Sequence, residues 1–202
     1  MPPSTDGLLS YIHYAASRTA TPWGKFIKMK RIFLLRHLKS SWDFPELDDF
    51  DRPLNDRGDR AGPLVARHIA THAIRPDLVL CSAARRTRQT MDHIIKVLDG
   101  VPVLYERRLY EATAANLLKR LKELPPDVEA VMLIGHNPGL HKLATGLTEK
   151  EVPDTVAGLA DLRTKYPTGT LVTLTAPIDD WADLESGLCR LRAMVRPKDL
   201  DV

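Results

Sequence analysis

The sequence predicts an α/β fold: one domain, a three-layer α/β/α sandwich around a mostly parallel sheet. Three observations predict it. From residue 30 onward, short apolar runs alternate with stretches of helical periodicity, the pattern of helices packed on both faces of a parallel sheet. The 202 residues fit one ordinary domain, and 44% are apolar, enough for a full core. No internal repeat and no linker-like stretch divides the chain.

The elements follow in order. Residues 1–28 stand apart: they are rich in Ser, Thr, Ala and Pro, with Asp6 as their one acidic residue. A transit peptide fits that composition. The preferred reading is an unstructured extension or a mis-assigned start with Met29 as the true one, so that the domain spans 29–202. Arg31 to Arg36 is an apolar run bounded by polar residues, the sign of a buried strand. Residues 38–56, with Pro45, Pro53 and many aspartates, read as a loop. From Arg57 to about Ala73, Leu64, Val65, Ile69 and Ala73 fall near helical spacing. Asp77 to Cys81 is a second strand. Residues 84–98 are helical, with Met91, Ile94, Ile95 and Leu98 on one face and Gly100 as the stop. Val101 to Tyr105 is a short strand. Ala112 to Leu124 is helical through Leu117, Leu118, Leu121 and Leu124, and Pro125-Pro126 ends it. Residues 129–134 form a strand, followed by a helix from about Leu140 and a short helix at 154–163. Strands at 170–174 and 189–195 close the chain.

Charge and cysteine content narrow the function classes. There are 29 basic and 26 acidic residues, a formal charge of +3, scattered along the chain. That balance does not support a nucleic-acid partner. No apolar run is long enough to span a membrane, and the N-terminus lacks a secretory h-region. Cys81 and Cys189 have neither zinc nor redox spacing, which favours a reducing, cytoplasmic setting. Cys81 ends a strand and reads as a small buried apolar residue. A monomer is the expected state.

The chemistry gathers at strand ends. His37 follows the first strand, and His136 follows the fourth inside Gly135-His136-Asn137-Pro138-Gly139. In open α/β sheets, ligands bind outside the carboxyl ends of the strands, so two imidazoles from different strands can meet there. Ser82-Ala83-Ala84-Arg85-Arg86-Thr87-Arg88-Gln89-Thr90 occupies another strand-to-helix junction. A guanidinium there can fork onto two phosphoryl oxygens. Each element has a plainer reading. A strand-end histidine often only caps backbone, and Arg85 or Arg88 can belong to a solvated helix face. Together they point to an anion held between two histidines.

Four motifs in order carry a resemblance: Leu34-Leu35-Arg36-His37-Leu38, Pro53-Leu54-Asn55-Asp56-Arg57-Gly58, Ser82 to Thr90 with Arg86 selected, and Gly135-His136-Asn137-Pro138. They resemble the histidine phosphatase superfamily, with its phosphoglycerate mutase-like fold, over residues 29–197. The small SixA-type phosphohistidine phosphatases are the most similar members. The chain departs from the opening motif at Leu38, where many members carry glycine; a side chain there is expected to crowd the phosphate or tighten the strand exit.

The resemblance implies that His37 is the nucleophile and forms a phosphohistidine intermediate, with Arg36, Arg86 and His136 around the phosphoryl oxygens. It implies Glu111 as proton donor and acceptor. By its residue context alone Glu111 is equally a solvated carboxylate favoured by a helix start, and Asp43 and Asp56 are alternatives. Ser40 and Arg57 are further candidates for the phosphate or its surroundings. Neither metal nor other cofactor is implied, because arginines supply the positive charge. The chain is short and shows no large module to build a lid, so the expected substrate is phosphohistidine in a protein, such as a histidine-phosphotransfer protein. The alternatives are a small phosphomonoester on the same core, or a phosphoprotein-binding module with impaired catalysis, which Leu38 invites.

Overall fold

Six strands form one mixed sheet: β3 (Lys30–Arg36), β4 (Leu78–Ser82), β5 (Val103–Glu106), β6 (Ala130–Gly135), β7 (Leu171–Ala176) and β8 (Arg190–Val195), in the order β5-β4-β6-β3-β7-β8. This computed structural model describes residues 28–149 and 158–200, with the backbone of 19–20 and 26–27, where β1 (Thr19–Ala20) and β2 (Phe26–Ile27) pair antiparallel. The expectation for residues 1–28 otherwise lies outside the described residues. The strands from β5 to β3 run parallel; β7 is antiparallel to both β3 and β8, so β8 points the same way as β3. The sheet is therefore mostly parallel, as expected. A buried apolar run does not encode strand direction, so the reversal of β7 was not legible in advance.

Side chains alternate across the sheet with a period of two residues. Ile32, Leu34, Leu80, Val131 and Leu133 pack on one face, among α3 (Ala114–Lys122), α4 (Gly139–Leu147) and α5 (Leu159–Thr164). Phe33, Leu35, Val79, Cys81, Met132 and Ile134 pack on the other, beneath α1 (Asp56–Thr71) and α2 (Arg85–Ile94). Both faces are covered, which gives the three layers.

Local chemistry sets the helix ends. The Asn55 side chain accepts from the backbone N–H groups of Arg57 and Gly58, both at 3.1 Å, so α1 starts at Asp56. α2 gives way to a 3₁₀ turn at Ile95–Val97, short of the expected 98. Thr113 caps α3, accepting from Asn116 N–H at 3.2 Å, so that helix begins two residues later than expected. The short helix expected at 154–163 is observed as α5; residues 154–157 lie outside the described residues.

Register positions the site. β3 and β6 pair with Arg36 opposite Gly135, and β6 and β4 pair with Cys81 opposite Ile134. The next residue on each strand is therefore delivered to the same edge: His37, His136 and Ser82. His37 N–H donates to Gly135 O at 3.1 Å, fixing the two histidines side by side.

Candidate active site

The His37 and His136 rings lie 5.2 Å apart between centroids, inclined at 48°. Both residues are buried. His37 Nδ1 is 2.6 Å from Leu38 O. A carbonyl can only accept, so Nδ1 carries the proton and Nε2 keeps the basic lone pair. His136 Nε2 is 2.8 Å from Ser82 Oγ, while its Nδ1 is buried without a protein partner. Burial, then the neighbouring His136, holds the His37 imidazole well below its usual pKa. Burial, then the Arg86 charge, lowers His136 to about 3. Both rings are thus neutral near pH 7, and His37 Nε2 keeps a free lone pair.

Arginines supply the charge. Arg36 Nη1 donates to Tyr166 O at 2.7 Å, and Arg36 Nε is buried without a protein partner. Arg86 is buried; Nη2 donates to Asp49 Oδ2 at 2.8 Å, Nη1 donates to Asp49 O, and Nε is unpartnered. Asp49 gathers further donors. Its carboxylate accepts from Arg52 Nη1 at 2.7 Å and from Tyr110 Oη at 2.7 Å. Partial burial alone would raise the Asp49 carboxyl, but the bonds from Tyr110 and Arg86 outweigh it and hold it below its usual range. The Tyr110 ring stands edge-on to His136 at 5.4 Å, which ties this network to the histidine pair. Buried donors without protein partners, on two arginines and a histidine, suit a group rich in acceptor oxygens.

Comparisons agree with that geometry. The sequence profile of the histidine phosphatase superfamily (branch 1) matches residues 32–152. The chain belongs to the histidine phosphatase superfamily. It is 33% identical over 159 residues to the uncharacterized protein Rv1276c of Mycobacterium tuberculosis, covering 78% of this chain and 96% of that one. The Agrobacterium tumefaciens protein assigned as phosphohistidine phosphatase SixA superposes with a TM-score of 0.69 at 30% identity, over 83% of this chain and 98% of that one. A Nakamurella multipartitia protein with the same assignment gives 0.71 at 26% identity, over 84% and 96%.

In this histidine phosphatase, Arg36, His37, Arg86 and His136 form one electrostatic cluster: the two arginines depress both imidazoles. Ser40 is joined to it indirectly, its hydroxyl accepting from Arg52 Nη2 at 2.5 Å. Arg57 is exposed in the first turn of α1 and makes no side-chain bond to the four among the described residues. Asp43 accepts from Ser41 Oγ at 2.6 Å, and Asp56 is exposed at the start of α1. Asp49, Arg52, Ser82 and Tyr110 were not singled out for these roles by the sequence reading. Asp49 is one of several aspartates in one loop, and Tyr110 carried a signal only as the neighbour of Glu111.

Leu38 does not crowd the phosphoryl site. Its side chain is 1% exposed and packs into the core with Leu35, Leu54 and Leu171, while its N–H donates to Thr90 Oγ1 at 3.0 Å. Its φ is not among the positive ones, so no glycine is required there.

Glu111 is exposed on the segment entering α3 and adopts φ 50°. This left-handed conformation costs a non-glycine residue roughly 1–2 kcal/mol. The segment is seated by Gly139: a Cβ there would lie 1.9 Å from Ala112 O. Gly139→Ala is therefore expected to destabilise by about 3 kcal/mol, a fall of roughly 6–12 °C in the thermal midpoint. An unchanged midpoint would show that this close approach carries no weight.

The lowered imidazoles also set a pH dependence of stability. A histidine whose folded pKa lies below its unfolded value, ~6.5, contributes stability fully present above that value and lost as pH falls. For His136 the loss extends from about 6.5 down to about 3. The urea midpoint of the wild type should fall between pH 7 and 5, and His136→Gln should flatten that slope. A slope unchanged in the variant would contradict the assignment.

Proposed function

We propose that this enzyme removes the phosphoryl group from phosphohistidine in proteins, through a phosphohistidine intermediate on His37. The observation that carries the reading is the 2.6 Å bond between His37 Nδ1 and Leu38 O, which leaves Nε2 as the attacking nitrogen. Nε2 attacks phosphorus, the bond from phosphorus to the substrate nitrogen breaks, and the leaving imidazole takes a proton from Glu111. Water then attacks the enzyme phosphohistidine, Glu111 accepts its proton, and inorganic phosphate and free His37 are released. Arg36 Nε, Arg86 Nε and His136 Nδ1 have no other protein partner and serve the phosphoryl oxygens. Ser82, donating to His136 Nε2, would set the His136 proton on Nδ1, where it is useful. Ser40 supports the phosphate cluster through Arg52. Arg36 and the Arg86 network, not a cofactor, supply the charge.

The partner in this reading is a phosphorylated protein of the histidine-phosphotransfer kind, which gives the enzyme a signalling role. Free, buried Cys81 and Cys189, both pushed up to about 12 by burial, support a reducing cytoplasmic setting. Parallel assays on a phosphohistidine protein and a panel of phosphate esters test the substrate class. Faster turnover of the protein is expected; one ester turned over much faster would favour a small metabolite instead. Glu111→Gln should lower kcat by about 10²-fold, most of all on esters with a poor leaving group; unaltered turnover would reject Glu111 as the acid while leaving His37 in place.

A further inference from the structure

Two arginines of the Ser82–Thr90 stretch face away from the phosphoryl site. On a helix, residues three apart share a face, whereas neighbours do not. Arg86 turns inward and is buried; Arg85 and Arg88 are both exposed. Together with Phe50, Asp51, Ala83 and Arg107 they line a depression of about 440 Å³. The Arg107 guanidinium lies 4.5 Å from the centre of the Phe50 ring, and that of Arg88 lies 4.3 Å from the centre of Tyr105. Arg88 Nε donates to Ala83 O at 3.0 Å. Arg85, Arg88 and Arg107 form no ion pair among the described residues, and Asp51 is the one acidic residue of the lining. Like charges gathered in one depression repel one another unless an anion enters. Stacking on a ring leaves the N–H edge of a guanidinium free to fork onto a carboxylate or phosphate.

The depression and the catalytic cluster lie at opposite ends of a row of rings. Phe50 meets the edge of Tyr110 at 5.0 Å, Tyr110 meets His136 at 5.4 Å, and His136 meets His37 at 5.2 Å. Two anionic groups bonded directly to one another, as in a diphosphate, do not bridge that row of rings. A polypeptide does: at ~3.4 Å per residue, a side chain roughly two to five positions along reaches past them. We propose that this depression is a subsite for an acidic side chain flanking the phosphohistidine of the protein substrate. The proposal rests on the reading of the substrate given above.

Two peptides carrying a non-hydrolysable phosphohistidine analogue, one flanked by glutamates and one by glutamines, test it by calorimetry. The glutamate peptide should bind about tenfold more tightly. That preference should vanish in the Arg85→Gln/Arg107→Gln double variant and shrink with added salt, while the affinity for the glutamine peptide stays unchanged. Equal binding of the two peptides by the wild type, or a preference that survives in the variant, overturns the subsite. So does a preference for a small bisphosphate over the glutamate peptide. Turnover of the matching phosphohistidine peptides is read separately. Turnover without a glutamate preference sinks the subsite and leaves the catalytic reading standing; a glutamate preference without turnover does the reverse.

Discussion

Replacing His37 with alanine should cut phosphatase turnover by at least about 10⁴-fold, with circular dichroism and the unfolding midpoint as controls. The size of the effect follows from the chemistry. No neighbouring group can take over as nucleophile. Cys81 lies in the core with its thiol pushed up to about 12, and His136 Nε2 is engaged with Ser82. What would remain is the electrostatic cluster, which binds a phosphoryl group without a way to accept it covalently. Activity unchanged in His37→Ala would remove the mechanism.

Arg86→Ala should lower kcat/KM by about 10³-fold. Two effects combine. The phosphoryl group loses a buried guanidinium, and the Asp49 carboxylate, which Arg86 engages at 2.8 Å, loses one of its two arginines and keeps only Arg52 and Tyr110. An anion beside an incoming phosphoryl dianion opposes binding. Removing that anion as well should therefore restore part of the loss: Asp49→Ala/Arg86→Ala is expected to be about tenfold more active than Arg86→Ala alone. Arg86→Lys keeps the charge but loses the fork, and should fall between wild type and Arg86→Ala. Strict additivity of the two alanine substitutions, measured as kcat/KM for all four proteins, would contradict the coupling.

The fold was legible where one local rule decided it. The runs at 31–36, 77–81 and 129–134 are apolar apart from charged residues at their ends, and they became β3, β4 and β6 with shifts of about one residue. The histidine pair was legible for the same reason, since strand ends in such a sheet share one edge. What escaped the sequence depends on partners far along the chain. Asp49 meets Arg86 and Tyr110 across separations of 37 and 61 residues, and nothing local distinguishes it from Asp43, Asp48 or Asp51. Ser82 was visible as part of a motif, but its bond to His136 follows from the pairing of β4 with β6. Leu38 misled in the other direction. A side chain after the nucleophile looked like an obstruction, yet the backbone directs it into the core, where it is 1% exposed.

The reversed strand β7 has a functional consequence. The turn before β7 returns to the end of β3, where Gly169 N–H lies 3.1 Å from Arg36 O and 3.0 Å from His37 O. The Tyr166 carbonyl in the same stretch accepts from Arg36 Nη1 and from Asn137 Nδ2, and the Tyr166 hydroxyl donates to Leu34 O at 2.7 Å. The strand ends that carry His37 and His136 are thus braced from the antiparallel side of the sheet. Such bracing holds reacting groups in place during phosphoryl transfer, where positioning and charge supply most of the rate.

In the proposed mechanism the phosphoryl group passes through His37. A single-turnover reaction quenched in alkali, which preserves phosphohistidine, followed by peptide mass spectrometry, tests it most directly. One phosphoryl group is expected on the His37 imidazole, absent in His37→Ala and accumulating when hydrolysis is slowed. Turnover with no covalent phosphate on the enzyme, or with phosphate on a residue other than His37, would contradict it.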